Sequence, residues 1–217
     1  MKKYELVKND IKIISGKTLY RIKALKSFED VKKGDLGGYI ENENNLSHDL
    51  SAWVYDNACV YNNACVYGSA RISEQAIICG NSRIFGNAWA YGNSRVFGKA
   101  CVYDNACIYD NACIYEKACV YGNAWIAMNA HVSEKASVSG FAHVFGNAKV
   151  SGNAHISRHA YVSGNARVSG SARVYDSAHI CGEAKIYGNS HICGFTYIYK
   201  RKNIDKGVYN FGCSTTA

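Results

Sequence analysis

A period of six residues runs through most of the chain. From Val54 to Ile198 every sixth residue is Val or Ile, with Ala90 as the exception, and the residue two positions earlier is always small, mostly Ala. Repetition at a short fixed period is typical of solenoids, in which each unit buries its apolar side chains against the next unit. We therefore predict an all-β solenoid in which the small and the branched residue of each unit point inward.

Two segments flank the repeat. Residues 1–50 lack the period and alternate polar with apolar residues as strands do, so we predict a small N-terminal β cap there. Residues 51–199 form the repeat domain without an insertion, and residues 200–217 are predicted to be a C-terminal tail or cap. Capped ends are expected because an open coil exposes both its core and its unpaired backbone groups.

The composition narrows the class of protein. The 217 residues include ten Cys and no Pro, and the formal net charge is +8 at pH 7. The N-terminal sequence MKKYELVKND lacks the apolar stretch of a secretory signal, so we expect a cytoplasmic protein with reduced thiols. The cysteines recur at the six-residue period and not at the spacing of a zinc site, so no metal is expected. The basic balance favours an anionic partner without identifying it.

The repeat unit A-x-[VI]-x-[GD]-N resembles that of the hexapeptide-repeat proteins. That resemblance implies a left-handed, three-sided parallel β-helix of about eight coils, roughly 40 Å long at about 4.8 Å per coil. A right-handed, bactofilin-like helix is the alternative, because Tyr, Phe or Ser follows the branched residue where the family has Gly. The sequences GGYI, NLS and WVY, in residues 37–55, also resemble the opening of the YdcK-like subgroup from bacteria and prophages. Proteins of that subgroup are often labelled acyltransferases from the repeat alone.

With three units per coil, the outward residue before each branched residue falls on one of three faces. One face carries all three tryptophans and continues with His and Tyr, and the next face carries several cations. A stripe of aromatic side chains can stack on a ligand or pack against another subunit. The predicted ligand or interface residues are Trp89, Trp125, His143, Tyr161 and His179 on the aromatic face, and Arg95, Lys149 and Arg167 on the next face.

The residue that follows each branched residue changes character along the chain. It is mostly Tyr or Phe as far as Tyr121 and mostly Ser from Ser133 onward. Rings that recur at this position are expected to stack from coil to coil and to stabilise neighbouring coils. A surface for a partner is the alternative.

Three functions remain open at this stage. The leading hypothesis is a non-catalytic, oligomeric β-helix that acts as a scaffold and binds a protein partner or a small, anionic, nucleotide-like ligand. The hexapeptide-repeat resemblance implies a homotrimer with parallel axes, and we expect no membrane, nucleic acid or cofactor. The alternative is an acyltransferase, in which the resemblance implies His143 or His179 as general base and acetyl-CoA or another acyl-CoA between subunits. A purely structural spacer is the third hypothesis.

Overall fold

The computed structural model describes residues 2–199 and 202–211, and within them it consists of strands, turns and one short 3-10 helix, η1 (Glu43–Asn45). Positions 200, 201 and 212–217 of the predicted tail lie outside the described residues. The chain begins with three longer strands, β1 (Tyr4–Ile14), β2 (Lys17–Ala24) and β3 (Leu36–Ile40). The strands that follow are short and form three parallel sheets.

Each sheet takes every third strand of the repeat. The aromatic sheet consists of β4 (Trp53–Val54), β7 (Arg71–Ile72), β10 (Trp89–Ala90), β13 (Cys107–Ile108), β16 (Trp125–Ile126), β19 (His143–Val144), β22 (Tyr161–Val162), β25 (His179–Ile180) and β28 (Tyr197–Ile198). The second sheet continues β1–β3 with β5 (Cys59–Val60), β8 (Ile77–Ile78), β11 (Arg95–Val96), β14 (Cys113–Ile114), β17 (His131–Val132), β20 (Lys149–Val150), β23 (Arg167–Val168), β26 (Lys185–Ile186) and β29 (Asn203–Ile204). The third sheet consists of β6 (Cys65–Val66), β9 (Arg83–Ile84), β12 (Cys101–Val102), β15 (Cys119–Val120), β18 (Ser137–Val138), β21 (His155–Ile156), β24 (Arg173–Val174), β27 (His191–Gly194) and β30 (Val208–Phe211).

The interior is filled by the two inward residues of each unit. The Val and Ile series and the Ala residues two positions earlier are fully or almost fully buried and form one continuous core. Strands stack in register, so that Ala90 lies between Ile72 and Ile108 of the neighbouring coils. The predicted three-sided parallel β-solenoid is therefore confirmed, and the six-residue period follows from three walls that share one core.

The structure has nine coils, where the repeat predicts about eight. The ninth coil consists of β28, β29 and β30, and two of these strands lie in the segment predicted as a tail. Ile204 is buried and pairs with Ile186, which extends the core by one layer. The repeat pattern does not reveal this coil for two reasons. Lys202 takes the place of the small residue, and Tyr209 pairs with Ile192, which lies only seventeen positions earlier.

Each corner of the prism needs a residue with positive φ. Glycine fills most of these positions, as at Gly86 (φ 69°), and Asp104 (φ 59°) takes the same place one coil later. The Asn that follows has a role of its own, since the Asn87 amide donates to Asn105 Oδ1 at 3.0 Å and Asn105 donates to Asn123 at 3.2 Å. These amide ladders explain why the unit ends in Asn.

The N-terminal cap closes the first coil. Strands β1 and β2 pair antiparallel, β2 pairs antiparallel with β3, and β3 pairs in parallel with β5. Strand β3 lies so close to the first coil that a Cβ atom at Gly38 would be 2.6 Å from the Ala58 carbonyl oxygen, so only glycine fits there. The buried Lys3 ammonium donates to the Ala52 carbonyl at 2.7 Å, and burial lowers its pKa to about 8.

No helix in the described part of the chain is both long and apolar enough to cross a membrane.

Candidate interaction face

The aromatic sheet places rings directly above one another. Its parallel register pairs Trp125 with His143, His143 with Tyr161, and Tyr161 with His179. The ring of Tyr161 lies 4.8 Å from that of His143 and 4.7 Å from that of His179, with interplanar angles of 11° and 12°. Trp125 tilts onto His143 at 5.2 Å, and Tyr197 tilts onto His179 at 5.8 Å. Four of the predicted site residues therefore belong to one ring ladder, which Tyr197 extends.

Trp89 lies on the same sheet but is not stacked directly on Trp125, because the strand between them carries Cys107 in the outward position. Two corner rings connect them instead: Trp89 contacts Tyr91 at 5.6 Å, Tyr91 stacks on Tyr109 at 5.2 Å, and Tyr109 meets Trp125 edge-on at 6.3 Å. On the other side of Trp89, the Arg71 guanidinium lies 5.8 Å from the indole centre. Trp89 is thus an exposed ring near the cap that joins the ladder through corner rings.

Trp53 takes the outward position of the same sheet, in register with Arg71, but the cap covers it. Only 1% of its surface is exposed, because the rings of Phe28 and Tyr4 pack on it at 5.4 and 6.1 Å. Both rings come from the cap, where no repeat reveals which face they cover. The uncovered part of the aromatic face therefore begins at Arg71 and ends at Tyr197.

Residues at the corners widen the apolar surface around the ladder. Met128 and Phe141 are about half exposed, and Phe141 stacks on His159 at 5.1 Å. Met128 and Phe145 line a shallow depression together with Trp125, His143 and Tyr161 of the ladder. Met128, Phe141 and Phe145 were not among the residues predicted to form this surface. They replace Gly, Asn and Ser of other units, and these substitutions in adjacent coils were the available signal.

The surroundings of His143 disfavour its charged form. Burial lowers the pKa of His143, and the nearby His159 lowers it further, so the imidazole resists protonation. Among the described histidines, His48 is the one that forms an ion pair with a carboxylate. The rings of His143 and His179 instead contact aromatic neighbours within the ladder, and Tyr161 lies between them.

The predicted cations lie on the second sheet, apart from the ladder. Lys149 and Arg167 occupy adjacent strands, and Arg95 is separated from Lys149 by β14 and β17. Lys185, which was not among the predicted residues, follows Arg167 in register. Lys149, Arg167 and Lys185 share a depression that also contains the Glu183 carboxylate. The structure therefore brings most of the predicted residues together as two groups, the ring ladder and the pair Lys149 and Arg167, and Arg95 belongs to neither.

Nine described cysteines are free thiols. Most point outward from the walls, and burial raises the pKa of several of them, including Cys107 and Cys113. Within residues 2–199 and 202–211 no three His, Cys, Asp or Glu side chains come together in a way that could hold a metal ion.

Comparison with known families agrees with this architecture. A family model described as the YdcK β-solenoid repeat matches residues 160–176, which span β22, β23 and β24 and therefore one strand of each sheet. No curated protein is significantly similar to the chain.

Proposed function

Because this chain is a YdcK-like β-solenoid protein, we propose that it is a non-catalytic scaffold that assembles with further copies of itself through its aromatic face. This face comprises the outward side chains of the aromatic sheet from Trp89 to Tyr197 and the neighbouring Met128, Phe141 and Phe145. The observation that carries the proposal is the exposed ladder of rings from Trp125 to Tyr197. The order of the assembly is a trimer with parallel axes, as the hexapeptide-repeat resemblance implies.

Leaving these rings in water is costly. Trp125 is 46% and Tyr197 60% exposed, and Met128 and Phe141 at the neighbouring corners are about half exposed. Monomeric proteins seldom expose large contiguous apolar patches, and such patches mark interaction sites. Each Å² of apolar surface removed from water contributes about 25 cal/mol, so covering these side chains favours association.

The distribution of positive charge favours another copy of this chain as the partner. Copies of a chain with a net charge of +8 repel one another wherever their cations meet. From Trp89 to Tyr197 the outward strand positions of the aromatic sheet include no Lys or Arg, whereas both other sheets have them, as at Lys149 and Arg173. The aromatic face is therefore where copies of this chain can meet with the least repulsion.

In this proposal His143 and His179 are packing groups and not general bases. A general base has to lie beside the acceptor group of the substrate. The imidazoles of His143 and His179 are instead stacked against the Tyr161 ring. Calorimetry with acetyl-CoA separates the two roles. We expect no heat of binding at about 1 mM, the upper end of common enzyme KM values. Binding of acetyl-CoA that is lost in His143→Ala would instead support an acyltransferase.

The assembly is tested by measuring mass in solution. Native mass spectrometry and light scattering should report an oligomer for the wild type and a shift toward monomer for Trp125→Ala, with an unchanged circular dichroism spectrum. The matched control is Tyr187→Ala, because Tyr187 is 40% exposed but does not belong to the aromatic face. A monomeric wild type would contradict the proposal, and so would an oligomer that persists in Trp125→Ala combined with Tyr161→Ala.

A further inference from the structure

A second candidate site lies on the third sheet and its corner with the aromatic sheet. A depression there is lined by His155, Ser157, Arg158, Arg173, Tyr175 and His191. None of these residues was singled out as a ligand or interface residue by the sequence. We propose that this depression binds a phosphate group, either as the free ion or as a phosphate monoester. The proposal is independent of the assembly through the aromatic face.

Strand register places a guanidinium between two imidazoles at the centre of the depression. Arg173 lies between His155 and His191, each directly opposite it on a neighbouring strand. The ion pairs of the described residues leave the Arg173 guanidinium without a carboxylate partner. Arg173 is exposed, so its fork of N–H donors is available to a ligand.

The corner contributes a second guanidinium. Arg158 has a positive φ of 57° at a corner position where Gly is the commonest residue and where Glu134 and Asp176 of other units have the same conformation. The Asp176 carboxylate, one coil further on, accepts a hydrogen bond from Arg158 at 2.5 Å and another from the Gly194 amide at 3.2 Å. Asp176 therefore holds Arg158 at the rim of the depression, and the negative charge of Asp176 is paired with the Arg158 guanidinium.

The set of donors matches a phosphate better than a carboxylate or a neutral ligand. The Arg173 guanidinium can donate two parallel hydrogen bonds to phosphate oxygens, and the Arg158 guanidinium, which keeps its bond to Asp176, has further N–H groups to donate. The hydroxyls of Ser157 and Tyr175 and the imidazoles of His155 and His191 add donors around the same depression. Three or more oxygens with a charge near −2 are needed to use this many donors. The comparable depression on the second sheet differs, because the Glu183 carboxylate there opposes an anion.

The test is a titration of the full chain with sodium phosphate at low ionic strength, followed by calorimetry and by NMR shifts of the arginine side chains. We expect one site per chain with a dissociation constant on the order of 1 mM or lower. Arg173→Gln should weaken binding at least tenfold. Arg158→Gly should also weaken binding severalfold, while its melting temperature stays the same or rises, because glycine relieves the positive φ. This second variant separates loss of the site from loss of the fold.

The matched control is Arg83→Gln. Arg83 is exposed at the same position of its unit on the same sheet, five strands from Arg173, and it removes the same charge. Its affinity for phosphate should equal that of the wild type. Equal losses in all three variants would reduce the effect to general attraction of anions and overturn the proposal, as would absence of binding. Phenyl phosphate and free phosphate, titrated separately, distinguish a monoester site from a site for the ion.

Discussion

Three serines occupy inward positions at which most units have alanine, and two of them, Ser82 and Ser94, differ in their hydrogen bonds. Ser82 and Ser94 are both fully buried. The Ser82 hydroxyl donates to the Cys79 carbonyl at 2.8 Å, whereas the Ser94 hydroxyl has no partner among the described residues. A buried hydroxyl without a partner costs about 1–3 kcal/mol, while one that is bonded contributes about 1 kcal/mol.

Ser94→Ala is therefore expected to raise the free energy of unfolding by about 1 kcal/mol or more, and Ser82→Ala to lower it by up to about 1 kcal/mol. Urea denaturation followed by circular dichroism measures both changes. The pair is well matched, because both variants insert the residue that the repeat prefers. A destabilised Ser94→Ala would show that the hydroxyl is satisfied in solution.

The inward residues could be predicted from the sequence and several outward ones could not. A buried series such as Val54 to Ile198 follows from the period alone, because every unit meets the same core. Whether an outward residue is covered depends on segments without a period. Trp53 shows this, since Phe28 and Tyr4 reach it from the cap. The same reason explains why the ladder from Trp125 onward could be predicted, because the cap does not extend to it.

At the scale of the element, stacked rings join successive coils. Tyr67, Phe85, Tyr103 and Tyr121 form a column with centroid distances of 4.8 to 4.9 Å and interplanar angles of 1° to 3°. The predicted coil-to-coil stacking is thus present. The column ends at Tyr121, because the next coil has Ser139 at the equivalent position.

Stacking predicts that removing a ring from the middle of this column destabilises the fold more than removing a ring from its end. Tyr103→Ser removes two ring contacts and Tyr121→Ser removes one, at about 0.5–1.5 kcal/mol each. We expect the interior variant to be destabilised about twice as much as the terminal one in urea denaturation. Later coils carry Ser at the same position, so the fold accommodates the new side chain. Equal effects for the two variants would mean that burial of single rings, and not stacking, provides the stability.

Both ends of the solenoid continue the stacking beyond the repeat, and neither follows from the period. At the N-terminal end Ile40 pairs with Val60, twenty positions later, so this coil is two residues longer than the others. At the C-terminal end Ile192 pairs with Tyr209, and the coil is one residue shorter. Changes in corner length shift the period without breaking the strand stacking, which is why the sequence predicted eight coils where nine exist.

At the scale of the whole molecule, the three sheets divide the chemistry of the exterior. The aromatic sheet carries rings, while the second and third sheets carry cations in their later coils, such as Arg167 and Arg173. One core can support such different walls because the outward residue of each unit does not contact it. The ring ladder and Arg173 of the proposed phosphate site therefore lie on different walls, while Phe141 and Arg158 share the corner between them, where the Phe141 amide donates to the Arg158 carbonyl at 2.7 Å. Variants of Trp125 and of Arg173 therefore test the two proposals separately.

The proposed assembly should be sensitive to pH through His143, which lies within the ladder. Burial and then His159 lower the pKa of His143, so the folded chain binds fewer protons than the unfolded chain below the ordinary histidine pKa of about 6.5. Stabilisation by neutral His143 is thus complete above that value and is lost as pH falls through the lowered pKa. A charge that appears within stacked rings also repels the same residue of another copy. We expect the oligomer to dissociate on acidification from pH 7.5 to 5.5.

Light scattering at constant ionic strength measures this transition. The variant His143→Phe keeps a ring in the ladder but cannot be protonated, so its assembly should persist to lower pH than that of the wild type. If wild type and His143→Phe dissociate at the same pH, His143 is not the group that responds. If neither dissociates, the rings of the aromatic face do not meet another copy, because an interface that buries His143 has to oppose its protonation.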